Sequence, residues 1–450
     1  NNSPQVDGLA ALANLDGVTT NNYSHHFYVD STPQVGDVDF SYTGLNPLPS
    51  TATTSSWHTV LVDGLGKGGK GIFALDITSV PSSIQPTGSN TATGEQALAS
   101  KALWEFTDAD MGYSYGHPLI LKTRKYGWVV VMTSGYDNTT GPLAGHGILY
   151  VLNAKTGALL QKIDTGVGSA TNPAGLAQAT GYTQDVSDGT IDQVYAGDLL
   201  GNVWRFDLSE TALDASGNPT PNYPAPTLFA TLTDPSGNPQ PITTAPRIEE
   251  GIDSTGLGTL RWVFVGTGQF LDTSDLNNAQ KQTMYALRDG SGSTPSTTGL
   301  PLTRSVLVTN PLTTPLNVAD SASGWYYDLP GAAGSNGGTE RIVVNPDASA
   351  GVSVIAWATV TPSTDPCSLQ GNIYAADFST GQSVLQDSAG NVMQSITTNT
   401  ATTGLQMIQL PGGQFAILYG QTGSLPQTAK IKQPAGSNLL NRVNWREILN

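Results

Sequence analysis

One pattern recurs five times along the chain: two short runs rich in Val, Ile, Leu, Tyr, Phe and Trp, divided by a Gly-rich or polar turn. This is how an antiparallel hairpin is written. The first runs are 60–66 (VLVDGLG), 129–135 (VVVMTSG), 194–199 (VYAGDL), 262–268 (WVFVGTG) and 354–360 (VIAWATV). The second runs are 71–77 (GIFALDI), 147–153 (GILYVLN), 201–208 (GNVWRFDL), 283–289 (TMYALRD) and 371–378 (GNIYAADF). They share a shape: an aromatic (Phe73, Tyr150, Trp204, Tyr285, Tyr374), then small and apolar residues, then Asp or Asn. Almost no window carries apolar residues at helical spacing, and only 274–282 (SDLNNAQKQ) suggests a short helix.

Repeated hairpins without crossover helices predict an all-β chain, a β-propeller of about seven blades, whose radial repetition protects its sheet edges. A pair of β-sandwiches is the competing architecture. The aligned aromatics lie 54 to 89 residues apart, more than the roughly 40–50 of an ordinary blade. The excess falls in long polar insertions at 46–56, 80–100, 209–227, 289–300 and 391–404. Pro33, Pro118 and Pro246 each precede what reads as an inner strand, where Pro removes no ladder bond. Two divergent blades, from 28–42 and 415–420, complete the count. Residues 1–450 are read as one propeller domain, with 421–450 as a tail packing on it or closing the ring.

At 450 residues the chain can bury one large core or two ordinary ones, and one Cys excludes a disulfide-stapled miniature. Nineteen Lys and Arg against 35 Asp and Glu leave a net charge of −16, which repels phosphate backbones and makes nucleic acid an unsuitable partner. Nowhere do about 18 apolar residues run together, the length of a bilayer-crossing helix. The start at Asn1, with neither an initiator Met nor a signal-peptide pattern, reads as a processed or excised piece. Abundant Ser, Thr, Asn, Gln and Gly favour an extracellular setting.

Chemistry-bearing motifs are few. Residues 64–71 (GLGKGGKG) spell G-x-x-x-x-G-K, but Gly71 replaces the Ser or Thr that holds magnesium and a strand follows, so a hairpin turn is expected. His25, His26, His58, His117 and His146 form no zinc-spaced pair. Cys367 has no base nearby in sequence and reads as a buried thiol or half of a disulfide. The cluster with ligand logic is 184–192 (QDVSDGTID), where Asp185, Ser187, Asp188, Thr190 and Asp192 surround Gly189 and offer oxygen ligands suited to Ca2+. With Gly189 at the sixth position of an EF-hand-type loop, Asp188, Thr190 and Asp192 fall at positions 5, 7 and 9; one residue fewer lets Asp185 and Ser187 take the first two roles. The alternative is a solvated acidic turn, and the same holds for Asp108 and Asp110.

Five segments together carry a resemblance: 23–30 (YSHHFYVD) with Thr32-Pro33, 57–77 (WHTVLVDGLGKGGKGIFALDI), 103–106 (LWEF), 194–208 (VYAGDLLGNVWRFDL) and 443–448 (VNWREI). Over nearly its whole length the chain resembles the C-terminal β-propeller domain of the PilC/PilY family of type IV pilus tip proteins. That resemblance implies a non-enzymatic protein that supports pilus assembly, opposes retraction and adheres to host or abiotic surfaces. Implied partners are minor pilins at the tip and an N-terminal adhesin-like region. Implied location is the pilus tip or bacterial cell surface, after export through the periplasm. It also implies calcium as a switch, bound by an Asp-x-Asn/Asp-x-Asp-x-x-x-Asp loop directly before the Tyr-Ala-Gly-Asp run. Here Asp188, Thr190 and Asp192 fall at matching places.

Two other functions compete. Residues 149–157 (LYVLNAKTG) and 373–381 (IYAADFSTG) look like the repeat of pyrroloquinoline-quinone dehydrogenases, also propellers. Those enzymes place a Trp a few residues after each Thr-Gly and an adjacent Cys-Cys pair by the quinone, and this chain has neither. The other is a ligand-binding propeller unrelated to pili.

Overall fold

The computed structural model describes residues 27–433, except 45–53, 80–98, 185, 210–221, 317–318, 320–321, 332–337, 350, 364–368 and 412. These residues build six twisted sheets in chain order. The first is β1 (Gln34–Asp39), β2 (Trp57–Gly64), β3 (Ile72–Asp76) and β4 (Ala102–Phe106). The second is β5 (Leu119–Thr123), β6 (Gly127–Thr133), β7 (Ile148–Asn153) and β8 (Leu159–Asp164). The third holds β9 (Ala179–Tyr182), β10 (Gln193–Gly197), β11 (Asn202–Asp207) and β12 (Thr227–Thr231). The fourth holds β13 (Arg247–Ile252), β14 (Thr259–Gly266), β15 (Thr283–Ser291) and β18 (Gly324–Asp328).

Between β15 and β18, the short β16 (Leu302–Thr303) and β17 (Val308–Thr309) add parallel edge strands, β16 on the third sheet and β17 on the fourth. The polar insertion thus covers two sheet edges that would otherwise expose unpaired backbone. The fifth sheet is β19 (Asp347–Ser349), β20 (Val354–Ala358), β21 (Gly371–Asp377) and β24 (Ile396–Thr398). The sixth runs β23 (Val392–Met393), β22 (Leu385–Gln386), β27 (Gln427–Ile431), β26 (Phe415–Gln421) and β25 (Thr402–Gln409).

All five expected hairpins form, as β2–β3, β6–β7, β10–β11, β14–β15 and β20–β21. Consecutive first strands touch, β1 on β5, β5 on β9, β9 on β13, β13 on β19 and β19 on β25, so they gather at the inner end of the sheets. Pro33, Pro118 and Pro246 stand immediately before β1, β5 and β13, and Pro346 does the same for β19. The entries meet: the Asn345 side chain accepts from Ala245 N at 3.0 Å and donates to Gln178 Oε1 at 3.0 Å, joining the starts of sheets five, four and three.

The core lies between sheets, and the strand period of two explains how. In β6 and β7, Val130, Met132, Ile148, Tyr150 and Leu152 face the first sheet; Val129, Val131, Leu149 and Val151 face the third. The same division joins sheets three and four, four and five, and five and six. The central strands are buried on both faces, which is why they read as unbroken apolar runs rather than alternating ones. The aligned aromatics Tyr150, Trp204, Tyr285 and Tyr374 each face the preceding sheet.

Tryptophans fasten neighbouring sheets. Trp104 of β4 donates from Nε1 to Ala154 O at 3.0 Å, and Trp325 of β18 donates to Phe378 O at 2.8 Å. Each reaches the turn that follows the third strand of the next sheet. Those turns are the Asn-Ala-Lys-Thr-Gly and Asp-Phe-Ser-Thr-Gly segments. Asn153 Oδ1 accepts from Lys155 N and Thr156 N, Asp377 Oδ1 from Ser379 N and Thr380 N, with Gly157 and Gly381 closing each turn at φ near +70°. A Cβ on Gly157 would lie 2.6 Å from the Trp104 ring, so both the left-handed backbone and the close approach require Gly.

Several expectations change. Residues 28–42 are not a separate blade: β1 pairs with β2 in register Gln34↔Val62 to Asp39↔Trp57, as the first strand of sheet one. Residues 391–404, expected as a loop, contain β23, β24 and the start of β25, because two- and three-residue strands leave too short a pattern to see. Residues 421–433 are not a tail: β27 sits inside the sixth sheet between β26 and β22. The 274–282 segment forms only a 3-10 turn, Thr273–Asn277, capped by Asp272, before Asn278 turns extended. His25, His26, Cys367 and the 443–448 ending lie outside the described residues.

Candidate functional site

The 194–208 run builds the β10–β11 hairpin, and its polar residues are consumed by the fold. Asp198, fully buried, accepts from Leu200 N, Asn202 N, Asn202 Nδ2 and Trp204 Nε1 at 2.8 to 3.0 Å. Burial pushes its pKa up, against these four hydrogen bonds that favour the charged form. The pattern Asp-x-x-Gly-Asn recurs at 234–238 and 387–391, where Asp234 and Asp387 make the same bonds to the Asn backbone and side chain. It recurs again at 214–218, outside the described residues. At its three described places this repeat, legible in the sequence, forms hairpin tips and not ligand loops.

Tyr195 and Arg205, from the same hairpin, enter a buried cluster against the fourth sheet. Arg205 Nη1 donates to both carboxylate oxygens of Asp289, at 2.5 and 2.7 Å, and Tyr195 OH donates to Asp289 Oδ2 at 2.5 Å. Arg261, with no exposed side-chain surface, donates to Tyr195 OH and Gln193 Oε1 and lies 3.9 Å from the Tyr182 ring centre. Asp289 stands four residues after its aromatic, not three as in the other units. The one-residue shift turns its carboxylate toward sheet three.

The proposed ligand loop joins β9 to β10. Asp188 Oδ1 accepts from Thr190 N at 2.8 Å and from its hydroxyl at 2.7 Å, and Asp188 Oδ2 accepts from Arg124 Nε at 3.1 Å. Asp192, nearly buried, accepts from Arg124 Nη1 at 3.0 Å and from Gln184 N at 2.6 Å. Lys122 Nζ reaches Asp188 O at 2.8 Å and lies 4.8 Å from the Tyr42 ring centre. Burial works against the Asp188 charge, but Thr190 and Arg124 outweigh it and hold its pKa below the ordinary value. Burial likewise opposes the Arg124 charge, and Asp192 and Asp188 more than restore it.

The structure thus brings Asp188, Thr190 and Asp192 together; Ser187 is exposed, and Asp185 lies outside the described residues. A calcium ion would need the oxygens of Asp188 and Asp192 that face Arg124. With the guanidinium between them, the described residues as arranged form an ion-pair cluster and do not fit the ion. Asp108 and Asp110 are held in the same manner: Lys162 Nζ lies 2.7 Å from Asp108 Oδ1 and 2.6 Å from Asp110 Oδ2. Among the described residues, no three His, Cys, Asp or Glu side chains gather as metal ligands would.

The other motifs resolve as turns and pairs. Residues 65–71 form the β2–β3 hairpin turn, with Leu65 N donating to Gly71 O, and Gly68 lies so close to Tyr28 O that no Cβ would fit. His58 and His146 pair with Asp76 and Asp164. A groove between the inner strands of sheets four to six is lined by Arg247, Asp347, Thr403 and Gln406. Its charges are compensated internally: Arg247 Nη2 donates to Glu249 at 2.6 Å and Arg247 Nε lies 3.5 Å from Asp347 Oδ1, while Asp347 also accepts from Met407 N at 2.7 Å.

Comparison with known proteins places these features. A curated type IV pilus biogenesis factor PilY1 homolog of Xylella fastidiosa is 29% identical over 98% of this chain and 33% of its own length. The type IV pilus biogenesis factor PilY1 of Pseudomonas aeruginosa is 28% identical over 79% of this chain and 31% of its own length. The chain thus spans about a third of these relatives. The crystal structure of the Pseudomonas aeruginosa PilY1 C-terminal domain superposes with a TM-score of 0.62 at 24% identity, covering 91% of this chain and 85% of that one. The family model of the PilY1 β-propeller domain matches residues 3–317, sheet one through most of sheet four, and the chain belongs to that family.

Proposed function

We propose that this chain is the propeller portion of a type IV pilus biogenesis factor, acting at the pilus tip or cell surface without catalysis. The observation that carries the reading is relatedness along 98% of the chain to a pilus biogenesis factor. The architecture suits the role. Five hydrophobic cores in series and the tryptophan fastenings make a stiff platform. In this reading the platform supports pilus assembly and opposes retraction through minor pilins, works beside an N-terminal adhesin-like region and contributes to adhesion after export through the periplasm. It needs no ion in the 184–192 loop.

The polar clusters give the non-enzymatic reading its support. Asp198, Arg205, Asp289 and Arg261 are engaged with one another and with backbone, and the Thr-Gly segments that resemble a quinone-enzyme repeat serve as seats for Trp104 and Trp325. The test is deletion of the gene in its own host. Surface pili, twitching and attachment should fall and return on complementation; a deletion strain with normal piliation and twitching overturns the proposal.

A further inference from the structure

The 184–192 loop carries two carboxylates that converge, and the partner they converge on belongs to another sheet. Arg124 occupies the turn between β5 and β6 of sheet two, and its guanidinium spans Asp188 and Asp192 of sheet three with one nitrogen to each. All four carboxylate oxygens have a donor: Thr190 N and hydroxyl on one, Arg124 on two, Gln184 N on the fourth. Lys122, two residues earlier on β5, takes the Asp188 carbonyl, and its own carbonyl accepts from Ile191 N at 2.8 Å. The loop is therefore stitched to β5 through both side chains and backbone.

Charge makes the same point. Among the described residues, Asp188 and Asp192 contribute two negative charges, and Arg124 and Lys122 supply two positive ones at the same place. A divalent cation entering between the carboxylates would have to expel the guanidinium or sit beside it, like charge against like charge. The second acidic pair, Asp108 and Asp110, independently follows the rule, with Lys162 between its carboxylates.

We propose that Arg124, assisted by Lys122, is the built-in cation of the 184–192 loop, holding by a side chain the closed shape that a bound divalent ion would otherwise have to enforce. The loop then keeps its conformation whatever the calcium concentration, and this chain is not switched through it. The inference rests on the loop's own contacts, and its failure would leave the pilus reading untouched.

The test is amide hydrogen exchange of the whole 450-residue chain, followed at Gln184, Thr190 and Ile191, in chelator and in excess calcium chloride. The unsubstituted protein should exchange at the same rate in both. Arg124→Gln, a half-buried side chain whose loss leaves the sheet cores intact, should exchange about tenfold faster at these amides in chelator, and Lys122→Gln should raise the rate at Ile191 less. Two results overturn the proposal: calcium slowing exchange in the unsubstituted loop, or Arg124→Gln exchanging at the unsubstituted rate in chelator.

Discussion

Two clusters in this molecule use the same chemistry at different depths. Between sheets three and four, Arg205, Arg261, Tyr195 and Asp289 form a network from which water is excluded. Between sheets two and three, Arg124, Asp188 and Asp192 form a bridge whose arginine and outer carboxylate are about a third exposed. In the deep cluster each charge depends on every partner, because an unpaired ion in a low-dielectric interior is costly. In the outer one, water takes over at Arg124 and Asp188 when a partner leaves, and the more buried Asp192 keeps its bond from Gln184 N, so the bridge shapes the loop more than it stabilises the fold.

The deepest substitution should have the largest effect. Asp289→Ala strips Arg205 of its carboxylate partner and Tyr195 of its acceptor and should cost about 3–5 kcal/mol, read as a fall in the urea midpoint. A loss below about 1 kcal/mol would erase the distinction between the two clusters. Asp198→Ala, which orphans donors inside one sheet rather than between two, should cost about 3 kcal/mol. Trp325→Phe keeps most of the packing but frees the buried Phe378 carbonyl, and about 1–2 kcal/mol should be lost in the same assay.

Arg124→Ala should cost only about 1 kcal/mol, and added salt should shrink that difference. A salt-independent loss as large as that of Asp289→Ala would show the outer bridge to be effectively buried. The smallest effect comes from acid. Burial raises the Asp76 pKa, but Thr78 and His58 outweigh it and lower it from 3.8 to about 2. A carboxylate whose folded pKa lies below its unfolded one stabilises the fold above the unfolded value and loses that contribution as pH falls through the folded one. Melting temperature should therefore drop between pH 4 and 2, and Asp76→Asn should flatten that drop. An unchanged slope in Asp76→Asn would assign the acid sensitivity to other carboxylates, Asp188 among them.

Where sequence sufficed, the determinant was local. Hairpins such as β6–β7 were legible because strands buried on both faces must be apolar at every position, and Gly and Asx residues must punctuate them. Pro33, Pro118 and Pro246 announced first strands because Pro fits the start of a strand and little else in a sheet. Where sequence failed, the reason was distance or brevity. The two-residue strand β22 carries no period, and β27 could be taken for a tail because one of its two partners, β22, lies far back in the chain, before β24, β25 and β26.

The loop at 184–192 shows the limit most plainly. Its acidic residues, and the Gly that lets them turn, are written in nine consecutive letters, and from those letters a cation is a reasonable expectation. That the cation is supplied by the chain itself depends on Arg124, 64 residues before Asp188, brought there because adjacent sheets of the propeller lay their corresponding turns side by side. Sequence alone determined the strands, their pairing into hairpins and the accumulation of negative charge. Which charges met, and which polar groups were spent on holding the sheets together, was decided only when the sheets were packed, because electrostatic partnership depends on separation in space and not along the chain.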